Sequence, residues 1–116
     1  MSISLTEPSF WILSSLATGR RHGYGILQDV AELSAGTTRL KVATLYAALD
    51  RLEHAGLVGA DGEEVVAGRA RRYFALTDAG AAALDAEAAR LAERARIARK
   101  RLATAPRQAP ARAALT

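Results

Sequence analysis

Cysteine is absent from the chain, which removes disulfides, thiol catalysis and cysteine-ligated metal sites together. Long apolar runs are missing too: no stretch approaches the roughly 20 apolar residues that span a bilayer. Met1 to Phe10 lacks a basic segment followed by an apolar one, so no signal peptide is expected and the cytoplasm is the expected location. The only histidines, His22 and His54, have no metal-ligand spacing. Gly23-x-Gly25 has no third glycine in register and no expected strand before it, so it does not read as a dinucleotide loop. Ser14 and Ser15 fall on an expected helix without a nucleophile elbow. The acidic residues fall mostly on solvated helix faces. These absences leave no expectation of an enzyme, a cofactor or a metal site.

What is present is a single-domain length of 116 residues, half of them hydrophobic. A chain this short buries a modest share of its surface, so dimerisation would add useful stability. The formal net charge is +4, which suits a polyanionic partner without requiring one. Its distribution is uneven. Residues 35–76 hold six basic and five acidic side chains, whereas residues 77–116 hold eight and four.

Thr6-Glu7-Pro8 reads as a helix start, with a capping hydroxyl, a first-turn acid and a tolerated proline. Phe10, Leu13, Leu16 and Ala17 continue it to Gly19, and Arg20-Arg21-His22 reads as a polar turn. A second helix is expected from about Tyr24 to Leu33, stopped by Ala35-Gly36. Thr37-Thr38 fits a short strand or loop. The third helix, from about Val42 to Ala55, buries Leu45, Ala48, Leu49 and Leu52 at spacings of three and four. Two strands follow, and their hairpin tip is placed at Ala67 to Arg69 rather than at Asp61-Gly62, because the later turn leaves better matched strands. Thr77 caps a last helix running from Asp78 to about Ala103. Along it Leu84, Ala88, Leu91, Ala95, Ala98 and Leu102 form a heptad seam, which favours self-association over packing on the chain's own body. The remainder, with Ala, Pro and Arg and no apolar period, reads as a disordered basic tail.

Three helices and a hairpin make a winged helix-turn-helix plan, mainly α with a small β-hairpin. The expected organisation is a DNA-binding domain over 1–76, a dimerisation helix over 77–103 and the tail over 104–116. In such a motif the exposed, N-terminal half of the second helix of the pair reaches base edges. That singles out Lys41, Thr44 and Ala47, with Arg51 placed for a phosphate. Tyr46 either packs under the helix or reaches a phosphate through its hydroxyl. Arg69 sits at the wing tip and Arg71 and Arg72 on the returning strand, where arginines contact phosphates or the minor groove. Strand alternation puts Arg71 and Arg72 on opposite faces, so they are not expected to share one task.

The stretch Thr44-Leu45-Tyr46-Ala47-Ala48-Leu49-Asp50-Arg51-Leu52-Glu53-His54-Ala55-Gly56-Leu57-Val58 closely resembles the recognition-helix signature of PadR-type regulators. Gly68-Arg69 and Arg72-Tyr73-Phe74-Ala75-Leu76-Thr77-Asp78-Ala79-Gly80 resemble their wing and its junction, and His22-Gly23-Tyr24-Gly25-Ile26 resembles the opening of their second helix. Ala47 departs from the proline usual there, and the short length looks like the subgroup with a single C-terminal helix. The resemblance implies a homodimer in which the last helix packs on the partner, bound to a palindromic operator and repressing nearby genes. It also implies, for some relatives, release by a small aromatic or hydrophobic effector. Phe10 and Trp11, with Tyr24, are the aromatic candidates for that effector, the last helix having no aromatic residue. Two other readings compete. One is a winged-helix protein-interaction adaptor without specific DNA binding, prompted by the nearly balanced charge of residues 35–76. The other is a non-specific architectural DNA binder driven by the basic C-terminal third.

Overall fold

In a computed structural model, whose described residues are 5–106, helix α1 (Glu7–Leu16) begins as its sequence dictates: the Thr6 hydroxyl accepts the Ser9 N–H at 3.2 Å, with a proline in the first turn. The helix ends at Leu16, earlier than Gly19. The segment expected as a polar turn contains a two-residue strand, β1 (Arg21–His22), instead. Long-range pairing makes the difference. Arg21 lies opposite Phe74 and His22 opposite Tyr73, a partnership invisible in local propensity.

Helix α2 (Gly23–Leu33) follows without a break, capped by the His22 ring, whose Nδ1 accepts the Gly25 N–H at 3.1 Å. It stops at Ala35-Gly36 as expected. Gly36 N–H reaches the Ala31 carbonyl and Ala35 N–H that of Glu32, with Ala35 at φ 52°. Thr37 and Thr38 form a loop rather than a strand, folded over Ser34, whose hydroxyl accepts the Thr38 N–H at 3.0 Å. Helix α3 (Val42–His54) then runs to a glycine stop. Gly56 is at φ 77°, and Leu57 N–H bonds back to the Leu52 carbonyl at 2.9 Å.

Strands β2 (Val58–Val66) and β3 (Arg69–Leu76) form the wing, turning at Ala67 and Gly68, both at positive φ. The sheet order is β1-β3-β2, antiparallel throughout, with an irregularity between Ala60 and Glu63. The core lies between the helices and the inner face of the sheet. Ile12, Leu13, Ile26, Val30, Leu45, Leu49 and Phe74 are its fully covered large side chains.

Helix α4 (Asp78–Ala103) is anchored at its first turn. The Thr77 hydroxyl donates to the Gly56 carbonyl at 2.6 Å and accepts the Gly80 N–H at 3.0 Å. Gly80 sits against the backbone of Leu57, where a Cβ would fall 2.0 Å from the carbonyl oxygen. A second tie comes from Glu87, 7% exposed, which accepts the Leu5 N–H at 3.4 Å and two bonds from Arg90 Nη2 at 2.6 and 2.7 Å. Beyond it the helix leaves the body. The radius of gyration is 18.6 Å, against about 13 Å for a compact chain of roughly 100 residues. No helix of the described residues is long and apolar enough to cross a membrane. The tail expected over 104–116 lies outside the described residues from 107 onward.

Candidate nucleic-acid interface

The exposed face of α3 carries Thr44, Ala47 and Arg51, with Lys41 at its N-cap, while Leu45, Ala48, Leu49 and Leu52 are buried. The three- and four-residue spacings that bury one set turn the other outward. Lys41 makes no side-chain cap, so the first N–H groups of α3 remain directed outward beside a lysine, an arrangement that suits an anion.

The wing arginines divide as alternation requires. Arg72 turns toward the helices: its guanidinium lies 5.0 Å from the Phe74 ring centre and 3.7 Å from Glu53 Oε1. Arg71 turns to the other face, with Nη1 3.5 Å from His22 Nε2. Arg69 is exposed at the hairpin end. Tyr46, 43% exposed, packs edge-on against Phe74 and rests its hydroxyl over Gly23, where a Cβ would stand 2.3 Å from the oxygen. Both expectations for Tyr46 thus remain compatible with its position: the ring is packed and the hydroxyl is at the surface.

Further along α3, His54 donates from Nδ1 to the Asp50 carbonyl at 2.8 Å. That bond, followed by the nearby Asp50 carboxylate, raises its pKa above the ordinary histidine value. Asp50, Glu53, His54 and Arg72 surround one shallow depression, so two of the five acids that nearly balance the local charge, Asp50 and Glu53, sit beside basic neighbours on the wing side of α3.

Arg20 and His22 were not singled out from the sequence as surface contacts. Arg20 lies 4.2 Å over the Tyr73 ring and donates to the Asp61 carbonyl at 2.9 Å, bracing the wing against β1. His22 and Tyr24 line a cleft with Gly23, Tyr46, Ala70, Arg71 and Arg72. His22 directly before a helix is a capping signal that a polar-turn reading passes over. Tyr24 therefore sits beside the wing, away from the groove to which the sequence reading linked it.

That groove, about 420 Å³ and open, lies between α1 and α4, with Phe10, Trp11, Leu5, Glu87, Arg90 and Leu91 among its walls. Phe10 and Trp11 meet edge-on at 5.2 Å, and the covered Trp11 Nε1 makes no hydrogen bond among the described residues. The seam of α4 is uncovered: Leu84 is half-buried, Leu91 is 40% and Leu102 74% exposed, and Ala88, Ala95 and Ala98 face solvent. Ile97, outside the seam, is exposed as well. Among the described residues no cluster of three or more His, Asp or Glu side chains is arranged to hold a metal ion.

Three helices, a wing packed beside the third and a long terminal helix define a winged helix-turn-helix protein. The profile of the transcriptional regulator PadR-like family spans residues 12–86. The chain belongs to that family of transcription regulators, which are DNA-binding proteins and not enzymes. It is 42% identical over 85 residues to transcriptional regulator Rv3488 of Mycobacterium tuberculosis, an alignment covering 73% of this chain and 76% of that one. Among solved structures it resembles a PadR family transcription regulator from Clostridium difficile, with a TM-score of 0.71 and 25% identity over 84% of this chain and 99% of the other. It also shares its fold with Bacillus subtilis PadR in complex with operator DNA, with a TM-score of 0.59 and 23% identity, over 66% of this chain and 44% of that one.

Proposed function

We propose that the chain is a sequence-specific transcriptional repressor that binds a palindromic operator as a homodimer. The observation that carries this reading is the alignment of Lys41, Thr44, Ala47 and Arg51 along the outward side of α3, with the wing arginines beside it. In this reading the first half of α3 enters the major groove, Arg51 and Tyr46 meet phosphates, and Arg69, Arg71 and Arg72 serve the flanking backbone or minor groove. The Bacillus subtilis PadR structure, solved in complex with operator DNA, supports operator DNA as the partner. Dimerisation is supported by α4, whose apolar seam beyond the first turns has nothing among the described residues to cover it. A two-fold dimer calls for half-sites about one helical turn apart.

The groove holding Phe10 and Trp11 is the place for an effector. Two aromatic rings and flanking arginines suit a small, largely apolar molecule with a hydrogen-bond acceptor. Because α4 forms one wall and also carries the seam, occupancy there would alter the spacing of the two DNA-reading units.

The test is footprinting and fluorescence anisotropy on the DNA upstream of the chain's own gene, against a scrambled duplex. A two-fold symmetric footprint, with affinity falling on Lys41→Ala and Arg71→Ala/Arg72→Ala, is expected. Losing a phosphate-contacting arginine should reduce the salt slope by about 1. Equal affinity for both duplexes would replace the reading by architectural binding, and an unchanged affinity in the variants would point to an adaptor.

A further inference from the structure

We propose that the cleft between the start of α2, Tyr46 and the edge of β3 holds one backbone phosphate of bound DNA, with His22 and Arg71 as its paired donors. The inference rests on the DNA-binding reading above and adds to it a contact residue, His22, on an element outside α3 and the wing.

The His22 ring is held so that its two nitrogens play different roles. Its Nδ1 accepts the Gly25 N–H, so that nitrogen carries a lone pair. A neutral imidazole with an accepting Nδ1 carries its proton on Nε2. Nε2 lies 3.5 Å from Arg71 Nη1, and a guanidinium has only donors to offer. Two donors therefore stand side by side with no acceptor between them, a pairing that an anionic oxygen would satisfy from both sides.

The surroundings continue the pattern. β1 pairs with β3 only at Tyr73 and Phe74, so among the described residues the edge of β3 from Ala70 to Arg72 has no strand on that side. The Tyr46 hydroxyl at the cleft makes no hydrogen bond among the described residues. None of the residues lining the cleft is acidic. Glu64, opposite Arg71 in register, instead accepts the Tyr73 hydroxyl at 3.2 Å. The cleft measures about 260 Å³, several times the roughly 30 Å³ share of a water molecule. It also adjoins α3 through Tyr46, which places it where a strand flanking the major groove would pass. Gly23 keeps it open, since any side chain there would displace the Tyr46 hydroxyl.

The experiment uses the full chain, with a mixed-sequence duplex at low salt, where backbone contacts alone support binding. Nitrogen-edited NMR reads the His22 ring, and anisotropy reads affinity for wild type, His22→Asn and Arg71→Ala. Asparagine retains the helix cap but draws the donor back from the cleft. The expected result is an Nε2–H tautomer in the free protein and a shift of that resonance on adding duplex. His22→Asn should weaken binding about tenfold, as for a hydrogen bond to a charged group, with helix content unchanged by circular dichroism. Arg71→Ala should lower the salt slope by about 0.9. An Nδ1–H tautomer in the free protein overturns the proposal. So does a duplex that shifts the α3 amides while leaving the His22 ring and the His22→Asn affinity untouched, although DNA binding then stands. If the duplex shifts neither α3 nor the cleft, the DNA-binding reading fails and takes the proposal with it. A His22 response to inorganic phosphate but not to duplex would overturn the DNA assignment.

Discussion

Replacing Gly80 with alanine tests the junction from which α4 is hung. An added Cβ would stand 2.0 Å from the Leu57 carbonyl oxygen, 2.8 Å from Leu76 Cδ1 and 3.0 Å from the Leu57 carbonyl carbon. Ordinary carbon–oxygen contacts begin at about 3.3 Å, so the helix or the Leu57 backbone must move by more than ~1 Å. The Leu57 carbonyl also accepts the Thr77 N–H at 3.2 Å, and the Thr77 hydroxyl caps Gly80. Movement therefore strains two hydrogen bonds together with the packing. Overpacking costs about 1–3 kcal/mol, and the weakened bonds add about 1 kcal/mol each. Against this, alanine gains at most about 1 kcal/mol of helix propensity over glycine. The net expectation is destabilisation of about 2–4 kcal/mol, or a fall in Tm of roughly 10–20 °C for a domain of this size. Thermal unfolding followed by circular dichroism at fixed protomer concentration measures it. Gly59→Ala is the control, because its Cβ would meet only Thr77 Cγ2 at an ordinary 3.8 Å. A Gly80→Ala protein that melts with or above the wild type would refute the close-approach argument.

Three other outcomes are expected. Ala35 holds the left-handed position that ends α2, at φ 52°; Ala35→Gly should raise stability by about 0.5–1 kcal/mol in urea unfolding, and a loss would contradict this account of the helix stop. Glu87 has its pKa lowered, first by the hydrogen bonds from Arg90 and against the effect of burial. Its folded-state pKa lies below the ordinary carboxylate value near 4.5, so its stabilisation is fully present above that value and is lost as pH falls through the lowered one. The stability gap between wild type and Glu87→Gln should accordingly close in acid, and a gap constant with pH would refute the linkage. Finally, Leu91→Asp/Leu102→Asp should convert a dimer to a monomer in sedimentation equilibrium with helix content largely kept, whereas a variant that stays dimeric would move the interface off this seam.

Much of this molecule was legible along the chain because its determinants are local. Apolar spacing of three and four placed α3 and sorted its buried leucines from Thr44, Ala47 and Arg51. A hydroxyl at Thr6 and another at Thr77 marked helix starts through bonds to N–H groups three residues on. The hairpin tip was legible because a turn at Ala67 to Arg69 leaves two well matched strands, and the chain turns at Ala67 and Gly68. Alternation likewise separated Arg71 from Arg72 without reference to any neighbour.

What needed the tertiary structure were features created by residues distant in sequence. β1 exists because Arg21 and His22 find Phe74 and Tyr73, and neither its length nor its composition marks a strand. The His22–Arg71 pair spans 49 positions, and the Leu5–Glu87 tie spans 82. Gly23 and Gly80 look alike in sequence, yet one meets the end of a tyrosine and the other a carbonyl of the backbone. Local sequence determined which segments are helix, strand and turn, because backbone propensity and amphipathic period act within a few residues. Only the folded chain decided which donors converge, which glycines are indispensable and which face of α4 is left uncovered, because contact, unlike propensity, is set by where the other elements come to rest.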